Sequence, residues 1–146
     1  MKKTAAWLPA VCWMGVIFLM SAAPGDLSGE QSGLVVHVLA ALWRFVSGGG
    51  QLSAEVLDTL SFLVRKAAHM SEYAILALLY RYALVKNGAA RPGAKALLLA
   101  ALYACTDELH QAFVPDRGPS PVDVLIDTTG ASLGLLFGRI ASRLRR

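Results

Sequence analysis

Cysteine, charge and metal-ligand spacing are all in short supply in this chain. Its 146 residues hold two cysteines, Cys12 and Cys105, with no CxxC and no Cys/His spacing beside either. A disulfide scaffold, thiol redox chemistry and a zinc ribbon are therefore not what organises it. Both thiols fall inside apolar stretches, where cysteine behaves as a small hydrophobic group. No HExxH occurs, and no internal repeat or low-complexity tract stands out. Charged residues make up only 16% of the chain against 55% hydrophobic ones. With a mean hydropathy of +0.51, the composition is that of a membrane protein and not of a water-soluble domain of this size.

What is present are four long apolar stretches, at 5–23, 67–85, 94–113 and 122–140. A helix needs about 20 such residues to cross the hydrocarbon core, and each stretch meets or approaches that length. The expected fold is all-α: a single domain over 1–146, an integral membrane bundle of about four transmembrane helices with an outer amphipathic segment. A secretory signal peptide would share the Lys2-Lys3 start and the small Ser21-Ala22-Ala23 run. The first apolar run, however, fills a whole span, and Pro24 directly follows the presumed cleavage point, so this segment is expected to stay as a helix.

Short cytoplasmic loops accumulate lysine and arginine. Lys2 and Lys3 precede the first stretch; Arg81, Lys86, Arg91 and Lys95 sit between the second and third; Arg139, Arg143, Arg145 and Arg146 follow the fourth. No acidic residue accompanies these cations. All ten acids, from Asp26 to Asp127, fall on the other side or in the adjoining half of the spans, with Arg44, Arg65, Lys66 and Arg117. The net charge of +4 is thus a topological signature, which argues against nucleic-acid binding and places both termini in the cytoplasm.

The external segment 24–65 is punctuated by Gly48-Gly49-Gly50 and is too short for a domain. Leu34, Val38, Ala41, Leu42 and Phe45 share helical spacing, with Trp43 and Arg44 suited to an interface, so an amphipathic helix over 30–46 is expected on the outer surface. Ser53 is a plausible N-cap for a second helix, whose face through Val56, Leu57, Leu60 and Val64 leads toward the second span. His37 has no partner at ligand spacing and reads as a packing or surface residue.

Ionisable groups inside a span are costly unless paired or hydrated, and several gather at the outer end. RKAAHMSEYA puts Lys66, His69 and Glu72 or Tyr73 on one helical face. CTDELHQAF places Asp107, His110 and Gln111 together, with Glu108 about 100 degrees away and free to face the second helix. The segment VPDRGPSPVDVLIDTTG turns at Pro115, Gly118 and Pro119, presents Arg117, and restarts a helix with Ser120 as N-cap, Pro121 in the first turn and Asp123 three residues after the cap. Asp127 lies one turn deeper and calls for a cationic partner such as His110, Lys66 or Arg117.

These groups support several chemistries. Two helix N-termini beside Lys66 and Arg117 suit an anion, phosphate above all. His69 or His110, oriented by Asp107, has the makings of a general acid or base, with Glu72 and Glu108 as further catalytic candidates, although no activated nucleophile accompanies them. Metal binding by the same His, Asp and Glu residues lacks a specific spacing. An ion-pair network that only locks the bundle together is the structural alternative. A transporter or channel fits less well, since the acids cluster at one end and no inverted repeat is visible.

The order of SAAPG, RKAAHMSEYA, TDELHQAFVPDRGPSPVD and DTTGASLG resembles the VanZ-like membrane proteins. The match spans most of the chain and is weakest around 30–60. It implies a bacterial cytoplasmic-membrane protein similar to one linked with low-level resistance to the glycopeptide teicoplanin, without supplying a reaction. The matching motifs fall on Lys66, His69, Glu72, Tyr73, Asp107, Glu108, His110, Gln111, Pro115, Arg117 and Asp123. Where the family commonly has asparagine, this chain has Asp127. The expected partners are membrane lipids and an anionic lipid-linked phosphate or cell-wall precursor; a non-catalytic scaffold is the alternative.

Overall fold

The computed structural model of the protein describes residues 3–23, 25–115 and 117–144, and for 25–31 the backbone alone. Among the described residues a 3-10 segment, Lys3–Trp7, leads into five α-helices and there is no strand: α1 (Leu8–Ser21), α2 (Gly25–Val46), α3 (Ala54–Lys86), α4 (Pro92–Gln111) and α5 (Pro121–Leu144). The all-α expectation holds. Proline marks the first turns of α1, α4 and α5, where its missing N–H costs nothing and its fixed φ favours the helix.

The segment between the first two apolar stretches folds into a helical hairpin. The helix expected over 30–46 begins earlier, at Gly25, and its chain reverses at Gly48 and Gly49, whose φ angles of +67° and +109° are readily reached only by glycine. Ser53 caps α3 as anticipated, its Oγ accepting the Val56 N–H at 3.4 Å. From there the helix runs unbroken for 33 residues, so the apolar stretch at 67–85 is the C-terminal part of a longer rod. At 1.5 Å per residue that rod is about 50 Å long, well beyond a hydrocarbon core of about 30 Å. On α2 the residues Leu34, Val38, Leu42 and Phe45 are exposed, while Val36 is buried.

Helices α3, α4 and α5 form the core, with α1 and the 3-10 segment laid against them. Small residues permit close approach. Ala96, Ala100 and Ala104 line one stripe of α4 and are fully buried, as are Ala77 of α3 and Ala131 of α5. Gly130 and Gly134 of α5 lie directly on the backbone of α3, at Met70 and Ala74. Specific bonds fix α1: Trp13 Nε1 donates to the Glu72 backbone carbonyl at 2.9 Å, and the Tyr103 hydroxyl donates to the Met14 carbonyl at 2.7 Å.

The surface is inverted relative to a soluble protein. Asp107, Glu108, Gln111 and Asp127 are buried, whereas Leu8, Leu19, Phe113, Leu125 and Phe137 are more than half exposed. Cys12 and Cys105 are unpaired and also exposed, so they pack against nothing inside the bundle. By length and composition, two helical stretches among the described residues suffice to cross a membrane, Lys3–Ser21 and Pro121–Leu144. The other two of the four expected spans, in α3 and α4, carry His69, Glu72 and Arg81 or Lys95, Asp107, Glu108 and His110. Much of that polarity, including Asp107 and Glu108, turns inward.

Candidate functional site

Helices α1 and α4 finish, and α5 begins, at one end of the bundle, where α3 passes alongside them. The C-terminus of α1 meets that of α4 through a three-residue network. Ser21 Oγ donates to Asp107 Oδ2 at 2.7 Å, and Gln111 Nε2 donates to Ser21 Oγ at 3.0 Å and to the same carboxylate oxygen at 3.3 Å. All three side chains are buried. The spacing of Asp107 and Gln111 foretold that they would share a face. Ser21 was visible beforehand only as part of the small-residue run after the first span, and its polarity at the end of an apolar stretch was the available signal.

Glu108 takes its hydrogen bond from the residue before α5. Its Oε2 accepts the backbone N–H of Ser120 at 2.8 Å, tying the end of α4 to the start of α5. A carboxylate at a helix N-terminus is favoured by the dipole, so one bond both satisfies a buried acid and positions α5. The Ser120 carbonyl accepts the Asp123 N–H at 2.9 Å, which opens the helix one residue before Pro121.

Lys66 reaches across from α3 to Asp123 of α5, Nζ to Oδ1 at 2.5 Å, with both side chains partly exposed. This settles a competition anticipated for Asp127. Asp127, one turn deeper, takes none of the expected partners: it is 1% exposed and neither carboxylate oxygen has a hydrogen-bond partner among the described residues. The reason is reach, since the lysine finds Asp123 first, at the rim where water lowers the cost of charge. For the partly exposed pair, a double-mutant cycle of Lys66→Met and Asp123→Asn is expected to give a coupling of about 1 kcal/mol in unfolding measurements. A coupling near zero would show that the contact is unimportant to stability.

His110 also meets α1, but does not join the Asp107 hydrogen-bond network. Its ring stacks on Phe18 of α1, centroids 4.3 Å apart, and its buried Nε2 has no partner. His69 Nδ1 lies 3.9 Å from Glu72 Oε2, a loose contact and not a well-formed hydrogen bond. Tyr73 is fully buried beside Tyr103, with its hydroxyl unpartnered. Among the described residues no three His, Cys, Asp or Glu side chains converge in a metal-holding group.

Between α1, the hairpin and α3 lies a cleft of about 180 Å³, onto which Arg65, His69, Glu72 and Arg117 open. Arg117 comes from the loop before α5, Arg65 from α3 one residue before Lys66. Neither guanidinium forms an ion pair with a described carboxylate, and each has a buried Nε without a partner. Burial, then the neighbouring Arg65, push the Arg117 guanidinium below its usual pKa, while Asp107, Glu108 and Glu72 oppose that shift. A guanidinium remains charged at neutral pH, so two cations share one cleft. Sequence reasoning selected Arg117 and passed over Arg65, which had registered only as one of four outer cations.

A family model described as VanZ/LLP1 matches residues 6–142. No curated protein and no solved structure matches the chain.

Proposed function

The chain belongs to the VanZ/LLP1 family, and from that premise we propose that it is a four-span bacterial inner-membrane protein whose outer cleft binds a phosphate-bearing envelope component. Such a component is a lipid-linked phosphate or a cell-wall precursor, and its capture would alter the access of glycopeptides such as teicoplanin. The exposed apolar belt, the two apolar helical stretches and the segregation of cations support the spans and a cytoplasmic location for both termini. In this reading α3 and α4 cross the bilayer with their polar groups directed into the bundle.

The observation that carries the ligand class is the convergence of Arg65 and Arg117 on one cleft, where neither forms an ion pair with a carboxylate among the described residues. Two guanidinium groups in a partly dry site repel, and an anion held between them relieves that repulsion while filling the vacant N–H donors. His69 and Glu72 at the same cleft would orient the group. Ser21 is 2% exposed and its hydroxyl already donates to Asp107, an arrangement that favours binding over covalent chemistry. That same closed network supports a second reading, in which the polar residues serve only as a scaffold.

With purified protein and a polyprenyl phosphate in detergent, Arg117→Gln is expected to weaken binding by roughly 10- to 100-fold, the equivalent of one charge-assisted contact. In a susceptible bacterium at matched membrane levels, wild type should raise teicoplanin tolerance and Arg117→Gln should not. Unchanged affinity would overturn the site assignment. Lost binding with tolerance intact would separate the site from the glycopeptide effect.

A further inference from the structure

At the opposite end of the bundle, α3, α4 and α5 leave a groove of about 240 Å³ that the outer site does not use. Its mouth carries Arg81 from α3 and Arg139 from α5; its walls include Leu97 and Leu136; and Gly93 and Ala94 of α4 complete it. We propose that this groove holds an anionic glycerophospholipid of the cytoplasmic leaflet, its phosphodiester headgroup between Arg81 and Arg139 and an acyl chain along the leucines.

Charge complementarity commits the groove to an anion. No acidic side chain lies in the sequence at this end, and neither arginine forms an ion pair among the described residues. Two cations supplied by different helices therefore line one groove with no carboxylate in the sequence at this end to neutralise them. The first turn of α4 adds donors, because Gly93 and Ala94 have no acceptor within their own helix and Arg91 provides no side-chain cap. Arg91 itself holds a left-handed φ of 50°, which starts the helix abruptly after the Gly88 turn.

Apolar continuity commits the groove to a lipid and not to a free phosphate. Leu136 is 51% exposed and Leu98 of α4 60% exposed, so the walls merge with the apolar belt that faces the hydrocarbon. Basic pockets between helices at the cytoplasmic face are where headgroup charge and acyl chain are both accommodated. The inference rests on the cation-rich end being cytoplasmic, but not on the outer cleft binding anything.

The test is native mass spectrometry of the full-length protein released from mixed micelles of phosphatidylglycerol and phosphatidylcholine. Wild type is expected to retain phosphatidylglycerol about tenfold over phosphatidylcholine, and Arg81→Gln or Arg139→Gln each to remove most of that preference. Ala94→Phe, which fills the groove and keeps both charges, should abolish retention. Lys86→Gln, a cation at the same end whose Nζ lies over the Tyr82 ring, should leave it unchanged. Retention that survives Ala94→Phe, or falls equally with Lys86→Gln, would overturn the site. Displacement by inorganic phosphate alone would overturn the lipid assignment.

Discussion

Replacing Gly130 by leucine is expected to cost the bundle its folded, monodisperse state in detergent, the largest effect of any single substitution outside the ionisable residues. Even a Cβ at this position would run into the Met70 backbone of α3, and at Gly134 it would lie 2.7 Å from the Ala74 carbonyl oxygen. Backbone cannot give way as a flexible side chain does, so α3 and α5 must separate along their length. Overpacking of this kind costs about 1–3 kcal/mol for small additions and more where no rotamer relieves it. Because α5 carries Asp123 and α3 carries Lys66, the same displacement pulls apart their ion pair. Gly15→Ala and Gly93→Ala, where a Cβ meets nothing within 4 Å, should leave the elution profile unchanged. Equal behaviour of all three variants would mean that close α3–α5 packing does not hold the bundle.

The second large effect concerns Asp107, and two substitutions there should part company. Asp107→Leu removes the acceptor of both Ser21 Oγ and Gln111 Nε2; Gln111 keeps its bond to Ser21 Oγ, but the buried Ser21 hydroxyl loses its acceptor, at about 1–3 kcal/mol. Thermal unfolding in detergent should register that loss as a marked fall in Tm. Asp107→Asn keeps an oxygen where Oδ2 accepts both bonds, and places its amide where Oδ1 has no partner. Its stability should therefore stay near wild type while the negative charge that helps hold the Arg117 cation is gone. If teicoplanin tolerance disappears with Asp107→Asn in a well-folded protein, the carboxylate serves the cleft. If tolerance persists in Asp107→Asn and fails only in Asp107→Leu, the residue is structural and the scaffold reading gains.

Residue by residue, the contrast between what could be foreseen and what could not follows the range of the interactions. Ser53 as an N-cap and proline in the first turn of α5 are local events, decided within one helical turn, and both are observed. The glycine turn that makes a hairpin of the segment between the first two apolar stretches is equally local. The partner of Asp127 was not foreseeable, because a side chain on α5 selects among cations on α3 and the preceding loop only after the two helices are set in rotation and register. Gly130, Gly134 and Gly138, spaced by four in α5, carried the signal for that register. The first two bring α3 and α5 into backbone contact, and with that contact Lys66 meets Asp123 and leaves Asp127 alone.

By itself, then, the sequence determined an apolar, helical chain of VanZ-like pattern with its acids gathered toward one end and its unpaired cations toward the other. Composition and periodicity record which surface each helix must hide, and charge segregation is written linearly along the loops. Tertiary structure alone decided that Ser21 joins Asp107 and Gln111, that Glu108 anchors Ser120, that His110 stacks on Phe18, and that Arg65 and Arg117 open onto one cleft. Each of these meetings joins residues far apart in the chain, and their geometry depends on how closely small residues let the helix backbones approach, a quantity that no single helix contains.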